Sequence, residues 1–110
     1  MEDDSLDLTE VKKIITEECE KAGFNVVKII LFGSRVRGDY TEESDWDLLV
    51  ILDKDITFNE LKKLTGRIQL KLAAINFSND LIFRGINQFN KSMKVVGNIS
   101  YYANKEGIEI

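Results

Sequence analysis

The chain has no histidine, no proline and a single cysteine, Cys19. The first absence removes the commonest general base and any histidine-based zinc site. The second permits helices to run without a kink. A lone cysteine excludes an internal disulfide, and a reducing compartment fits it. No apolar run approaches the roughly 18 residues needed to span a bilayer. The opening Met1-Glu2-Asp3-Asp4 is acidic and lacks a signal-peptide pattern. A cytoplasmic protein is expected, with no membrane contact. Cations are in the minority: 15 Lys and Arg stand against 19 Asp and Glu, a net charge of −4. Binding to nucleic acid rests on Lys and Arg neutralising phosphates, so this balance makes a poor general binder of DNA or RNA, short of a small local basic spot.

What is present fits one small domain over residues 1–110, with an ordinary apolar content of 44%. Leu8, Val11, Ile15, Cys19 and Ala22 recur at helical spacing. Thr9 or Asp7 is placed to cap that helix, and Gly23 to stop it. Val26 to Phe32 is β-branched and apolar, a buried strand ended by Gly33. A short helical turn over 34–38 and a polar loop lead to a second strand, 45–52. Thr57-x-x-Glu60 matches a capping box. It precedes a helical stripe of Leu61, Leu64, Ile68, Leu72 and Ile75. A third short strand is expected over 79–83, helix over 86–104 with a break near Gly97, and a last short strand over 107–110. The order predicts an α+β fold, a small mixed β-sheet with helices mainly on one face.

Three pieces carry chemistry. Gly33-Ser34 follows a strand, where a residue without a Cβ lets backbone approach phosphate oxygens. A helix starting at Ser34 would aim free N–H groups at an anion, and the hydroxyl adds a donor. Alone, Gly-Ser is far more often an ordinary turn. Asp45 and Asp47 lie two apart at a strand start, so both carboxylates share a face. Such hard oxygen ligands suit Mg²⁺, which keeps some waters and takes others from substrate phosphates. Alone, they are more often two solvated acids. Here they enter Leu48-Leu49-Val50-Ile51-Leu52, a run apolar enough for a central strand buried on both faces. Asp80 heads a third apolar run and joins the pair if the two strands are neighbours. Three carboxylates can hold two metal ions, and without histidine a carboxylate is the natural base.

Around these pieces, Arg35 and Arg37 flank the Gly-Ser turn, with guanidinium forks suited to triphosphate oxygens. Arg37 has a competing use, pairing with Asp39, Glu42 or Glu43. Trp46 alternates away from the aspartates and is expected to pack in the core. Tyr40 is expected to touch a nucleotide or a partner, Tyr101 and Tyr102 to be structural or part of an interface, and Cys19 to be buried and inert.

Together the pieces resemble the polymerase-β type of nucleotidyltransferase, in its minimal branch. Residues 35–44 separate Gly33-Ser34 from Asp45-x-Asp47, the family's spacing, inside the wider Phe32-Gly33-Ser34-Arg35-x-Arg37-Gly38 and Ser44-Asp45-x-Asp47-Leu48. Tyr102-Ala103-Asn104-Lys105-Glu106-Gly107 resembles the family's C-terminal segment. The resemblance implies transfer of AMP from ATP with release of pyrophosphate. Asp45, Asp47 and Asp80 would hold two Mg²⁺ ions, with Asp80 helping to deprotonate the acceptor. Gly33, Ser34, Arg35, Arg37 and Ser44 would bind nucleotide. Minimal members often act as antitoxins beside a HEPN-type helical ribonuclease, some by adding AMP to a tyrosine. A chain this short has no substrate domain, which fits a protein acceptor. Neutralisation by contact alone, and nucleotide addition to tRNA ends, are the competing functions.

Overall fold

The computed structural model describes residues 8–110. The acidic start of the chain and a cap at Asp7 lie outside the described residues. Nine elements follow in order: α1 (Leu8–Lys21), β1 (Val26–Phe32), α2 (Ser34–Arg37), β2 (Trp46–Leu52), α3 (Phe58–Ala74), β3 (Asn79–Gly85), α4 (Ile86–Ser92), α5 (Ile99–Glu106) and β4 (Ile108–Glu109). The strands form one mixed sheet in the order β3-β2-β1-β4. β1 runs antiparallel to β2 and β4, and β2 runs parallel to β3. A parallel pair needs a crossover, and α3 supplies it.

Local chemistry sets the element ends. α1 stops where Gly23 takes φ +91, so that Phe24 N donates to Cys19 O and Gly23 N to Glu20 O. These are the two bonds of a Schellman ending. Asn76 (φ 58) closes α3 with the same bonding, from Phe77 N to Leu72 O and from Asn76 N to Ala73 O. The capping box expected at α3 is formed, with Thr57 accepting from Glu60 N and the Glu60 carboxylate accepting from Thr57 N. The helical stretch expected over 86–104 is two helices, interrupted over 93–98, where Gly97 adopts φ +94.

The sheet is covered on both faces. Val11, Ile15 and Cys19 of α1 and Leu64, Ile68 and Leu72 of α3 pack on Ile29, Leu31, Leu48, Val50 and Leu52. Phe89 of α4 and Ala103 of α5 pack on Ile30, Phe32, Leu49 and Ile51. The two long helices therefore share one face, and the short C-terminal pair covers the other. β2 lies between β3 and β1 and runs fully buried from Leu48 to Leu52. Each such side chain contributes roughly 1.5–3 kcal/mol relative to an exposed one. Outside the core, Glu18 is buried at the α1–α3 seam and pairs with Lys21, Arg67 and Lys71. Among the described residues no helix is long and apolar enough to cross a membrane.

Candidate active site

Register brings the expected residues to one end of the sheet. Phe32, the last residue of β1, lies opposite Asp47, and Asp47 lies beside Asp80 on β3. Side chains alternate along a strand, so Asp47 shares the face of Leu49 and Ile51, and Asp80 that of Ile82. This is the face covered by α4 and α5. Gly33 follows Phe32 with φ +81 and ψ −158, a conformation that essentially only glycine adopts. Its missing side chain is also what admits Asp47, since a Cβ at Gly33 would lie 2.0 Å from the Asp47 Oδ2.

The Asp47 carboxyl is pushed above its ordinary value of 3.8, first by burial, then by the negative charge of Asp80 and of Asp45, with Arg37 opposing. Asp45 precedes β2, is exposed, and accepts a short hydrogen bond from the Ser78 hydroxyl. Trp46 N donates to Ser78 O, so Ser78 stitches the entrances of β2 and β3 together. The structure thus pairs Asp47 with Asp80 and turns Asp45 onto Ser78. Among the described residues, no three such groups converge into a cation site by themselves. The donor chemistry still fits Mg²⁺: two carboxylates side by side repel each other, a cation relieves that repulsion, and Mg²⁺ completes its shell with water and phosphate oxygens.

The arginines divide their labour. Arg35 donates from Nε and Nη2 to the Ser44 carbonyl, 3.1 and 2.8 Å away, and from Nη2 to the Glu42 carbonyl at 3.2 Å. Its guanidinium also lies over the rings of Tyr40 (4.6 Å) and Trp46 (5.1 Å). The sequence pattern offered Arg35 to phosphate; the structure spends its fork on the loop that delivers Asp45. Ser44 is likewise used inside that loop, its hydroxyl accepting from Thr41 N at 3.0 Å. Tyr40, expected to touch a nucleotide or a partner, packs on Arg35. Trp46 stacks on Phe77 at 5.8 Å against the core, as its alternation predicted.

Arg37 points the other way. Its Nη1 lies 3.0 Å from Glu106 Oε1, and its Nε contacts Asp39. The bond to Glu106 holds its pKa above the ordinary value. The expected partner Asp39 is found; Glu106 was not foreseen. Arg37 and Glu106 line a cavity of about 440 Å³ with Phe32, Gly33, Asp47 and Tyr102. Tyr102 is the residue that sequence reasoning passed over at this site. The pairing of β4 with β1 at Ile108 and Leu31 folds α5 back beside the end of β1.

A parallel β2–α3–β3 unit presents two acids at its strand entrances, opposite a glycine turn that opens a short helix. This is the architecture of nucleotidyltransferases. The chain belongs to the nucleotidyltransferase domain family, whose model matches residues 11–101. It is 35% identical over 94 residues to a Methanocaldococcus jannaschii protein named "Putative protein adenylyltransferase MJ0604", covering 83% of this chain and 94% of that one. A second protein of that organism, "Putative protein adenylyltransferase MJ1379", is 42% identical over 50 residues, 44% of this chain and 50% of that one. A crystal structure of a toxin–antitoxin with AMP-PNP shares the fold at a TM-score of 0.63 and 19% identity, over 94% of this chain and 72% of that chain. A mutant of the MntA–HpeT toxin–antitoxin pair shares it at 0.60 and 16%, over 94% and 71%.

Proposed function

We propose that this chain transfers AMP from ATP to a hydroxyl of a partner protein, a tyrosine in a HEPN-type toxin being the expected acceptor, and so acts as an antitoxin. The observation that carries the reading is the apposition of the Gly33 backbone to the Asp47 carboxylate, with Asp80 beside it in register. A nucleotide needs phosphate donors and cation ligands within one site, and this apposition joins them. The resemblance to protein adenylyltransferases and to toxin–antitoxin structures supports the acceptor class.

In this reading the backbone N–H groups of Ser34 and Arg35, at the start of α2, and the Ser34 hydroxyl take the triphosphate. Arg37 gives up part of its bonding to Glu106 and binds phosphate oxygens. Asp47, Asp80 and Asp45 would hold Mg²⁺, which would supply positive charge against that developing on the phosphates. Tyr102 forms a wall of the nucleotide cavity. Asp80, exposed beside Asp47, accepts the acceptor's proton. The acceptor oxygen bonds to the α-phosphorus, the bond to the bridging oxygen breaks, and pyrophosphate leaves.

Incubating the chain with Mg²⁺, lysate of its source organism and ATP labelled at either the α- or the γ-phosphate tests this. Label on a protein from α-labelled but not γ-labelled ATP is expected. Label on RNA would assign the activity to tRNA ends instead. No label, with the toxin present, would leave neutralisation by contact.

A further inference from the structure

A second, larger cavity of about 940 Å³ lies beside the reacting carboxylates rather than on them. Leu81, Ile82, Phe83 and Arg84, four consecutive residues of β3, line it. Successive strand side chains point to opposite faces, so a space that touches all four runs along the strand's edge. β3 is one of the two edge strands of the sheet, and its outer edge offers unpaired backbone donors and acceptors. One wall is α3, where Gly66 leaves the groove open, with nothing within 4 Å of the position of a Cβ. The opposite wall is the start of α5 and the turn before it. Among the described residues, the charged ones lining the groove are Lys62 and Arg84, with no carboxylate.

We propose that this groove binds an extended, acidic segment of the acceptor protein as an added strand on β3, and that the strand delivers the acceptor hydroxyl to Asp80. The inference rests on the reading of the chain as a protein adenylyltransferase. Three observations fix the occupant. The free edge asks for main-chain hydrogen bonds, which an extended peptide supplies and a folded surface does not. The two cations without a carboxylate ask for negative charge. Asp80 directly precedes Leu81, so a segment paired along 81–84 ends at the site.

Gly66→Phe fills the groove from an exposed helix position where the new side chain meets open space. The expected result is a rise of about tenfold or more in KM for the labelled acceptor protein, with ATP affinity and melting temperature unchanged. Gly66→Cys guards against misfolding: it is assayed before and after reaction with a bulky maleimide, which spares the buried Cys19, whose thiol is pushed up to about 12. Only the labelled form is expected to lose the acceptor. Hydrogen exchange should slow at 81–84 when the acceptor binds. If the unsubstituted chain labels no protein, the functional reading fails. Protein labelling that survives filling of the groove, or binding without protection of β3, overturns the inference alone.

Discussion

The α-carbon of Gly33 faces the carboxylate of Asp47 so closely that an added Cβ would lie 2.0 Å from Oδ2 and 3.0 Å from Cγ. The φ of +81 adds a second penalty for any other residue. Gly33→Ala is therefore expected to displace Asp47 and to lower AMP transfer by about 100-fold or more. Stability should fall by about 1–3 kcal/mol through backbone strain. Initial rates and thermal melts check both numbers. Unchanged rates would show that Asp47 does not need its present position.

Arg35 braces the loop that leads to Asp45, donating to the Ser44 and Glu42 carbonyls. Lysine keeps the charge but has neither a planar fork for the Ser44 carbonyl nor the same stacking on Tyr40 and Trp46. Arg35→Lys is expected to lower kcat by about tenfold, with KM for ATP little changed. Limited proteolysis should cut faster within 39–44. A rise in KM alone would instead place the guanidinium on the triphosphate.

On the proposed function, Arg37 leaves Glu106 for the phosphates of the entering nucleotide. Arg37→Ala should raise KM for ATP by about tenfold, the worth of a charge-assisted bond. Glu106→Gln leaves Arg37 less committed and is expected to lower that KM. Titration with a non-hydrolysable ATP analogue separates the two effects. A higher KM for Glu106→Gln would make the pair an orienting clamp rather than a competitor.

Stability should fall in acid through Glu18. The hydrogen bond from Lys71 holds its carboxyl below the ordinary 4.5, with Lys21 adding to the effect and burial opposing it. A depressed folded-state pKa stabilises the fold fully above the unfolded value. That contribution is lost as pH falls through the folded one. The wild-type melting temperature is expected to drop between about pH 5 and the depressed pKa, and Glu18→Gln to flatten this dependence while lowering the melt at neutral pH. Parallel pH profiles for the two proteins would show the seam to be irrelevant.

The elements were legible where local chemistry dictates them. Thr57 and Glu60 announced α3, Gly23 the end of α1, and the apolar run from Leu48 to Leu52 the central strand. Both acids were legible as strand entrances, but their meeting was conditional on the strands being neighbours, which the parallel pairing of β2 and β3 supplies. Tyr102 and Glu106 could not be placed at the site from sequence, because their arrival depends on the non-local pairing of a two-residue strand, β4, with β1. Arg35 was offered to phosphate by its guanidinium fork, and Ser44 to nucleotide by the family resemblance alone. Sequence spacing does not reveal that the same groups satisfy a neighbouring loop, nor that Asp45 turns onto Ser78.

Asp47→Asn removes the charge beside Gly33 while keeping the size of the side chain. With α-labelled ATP, Mg²⁺ and the acceptor, wild type is expected to label a protein and the variant none, with superimposable circular dichroism. Equal labelling by both proteins would contradict the proposed function.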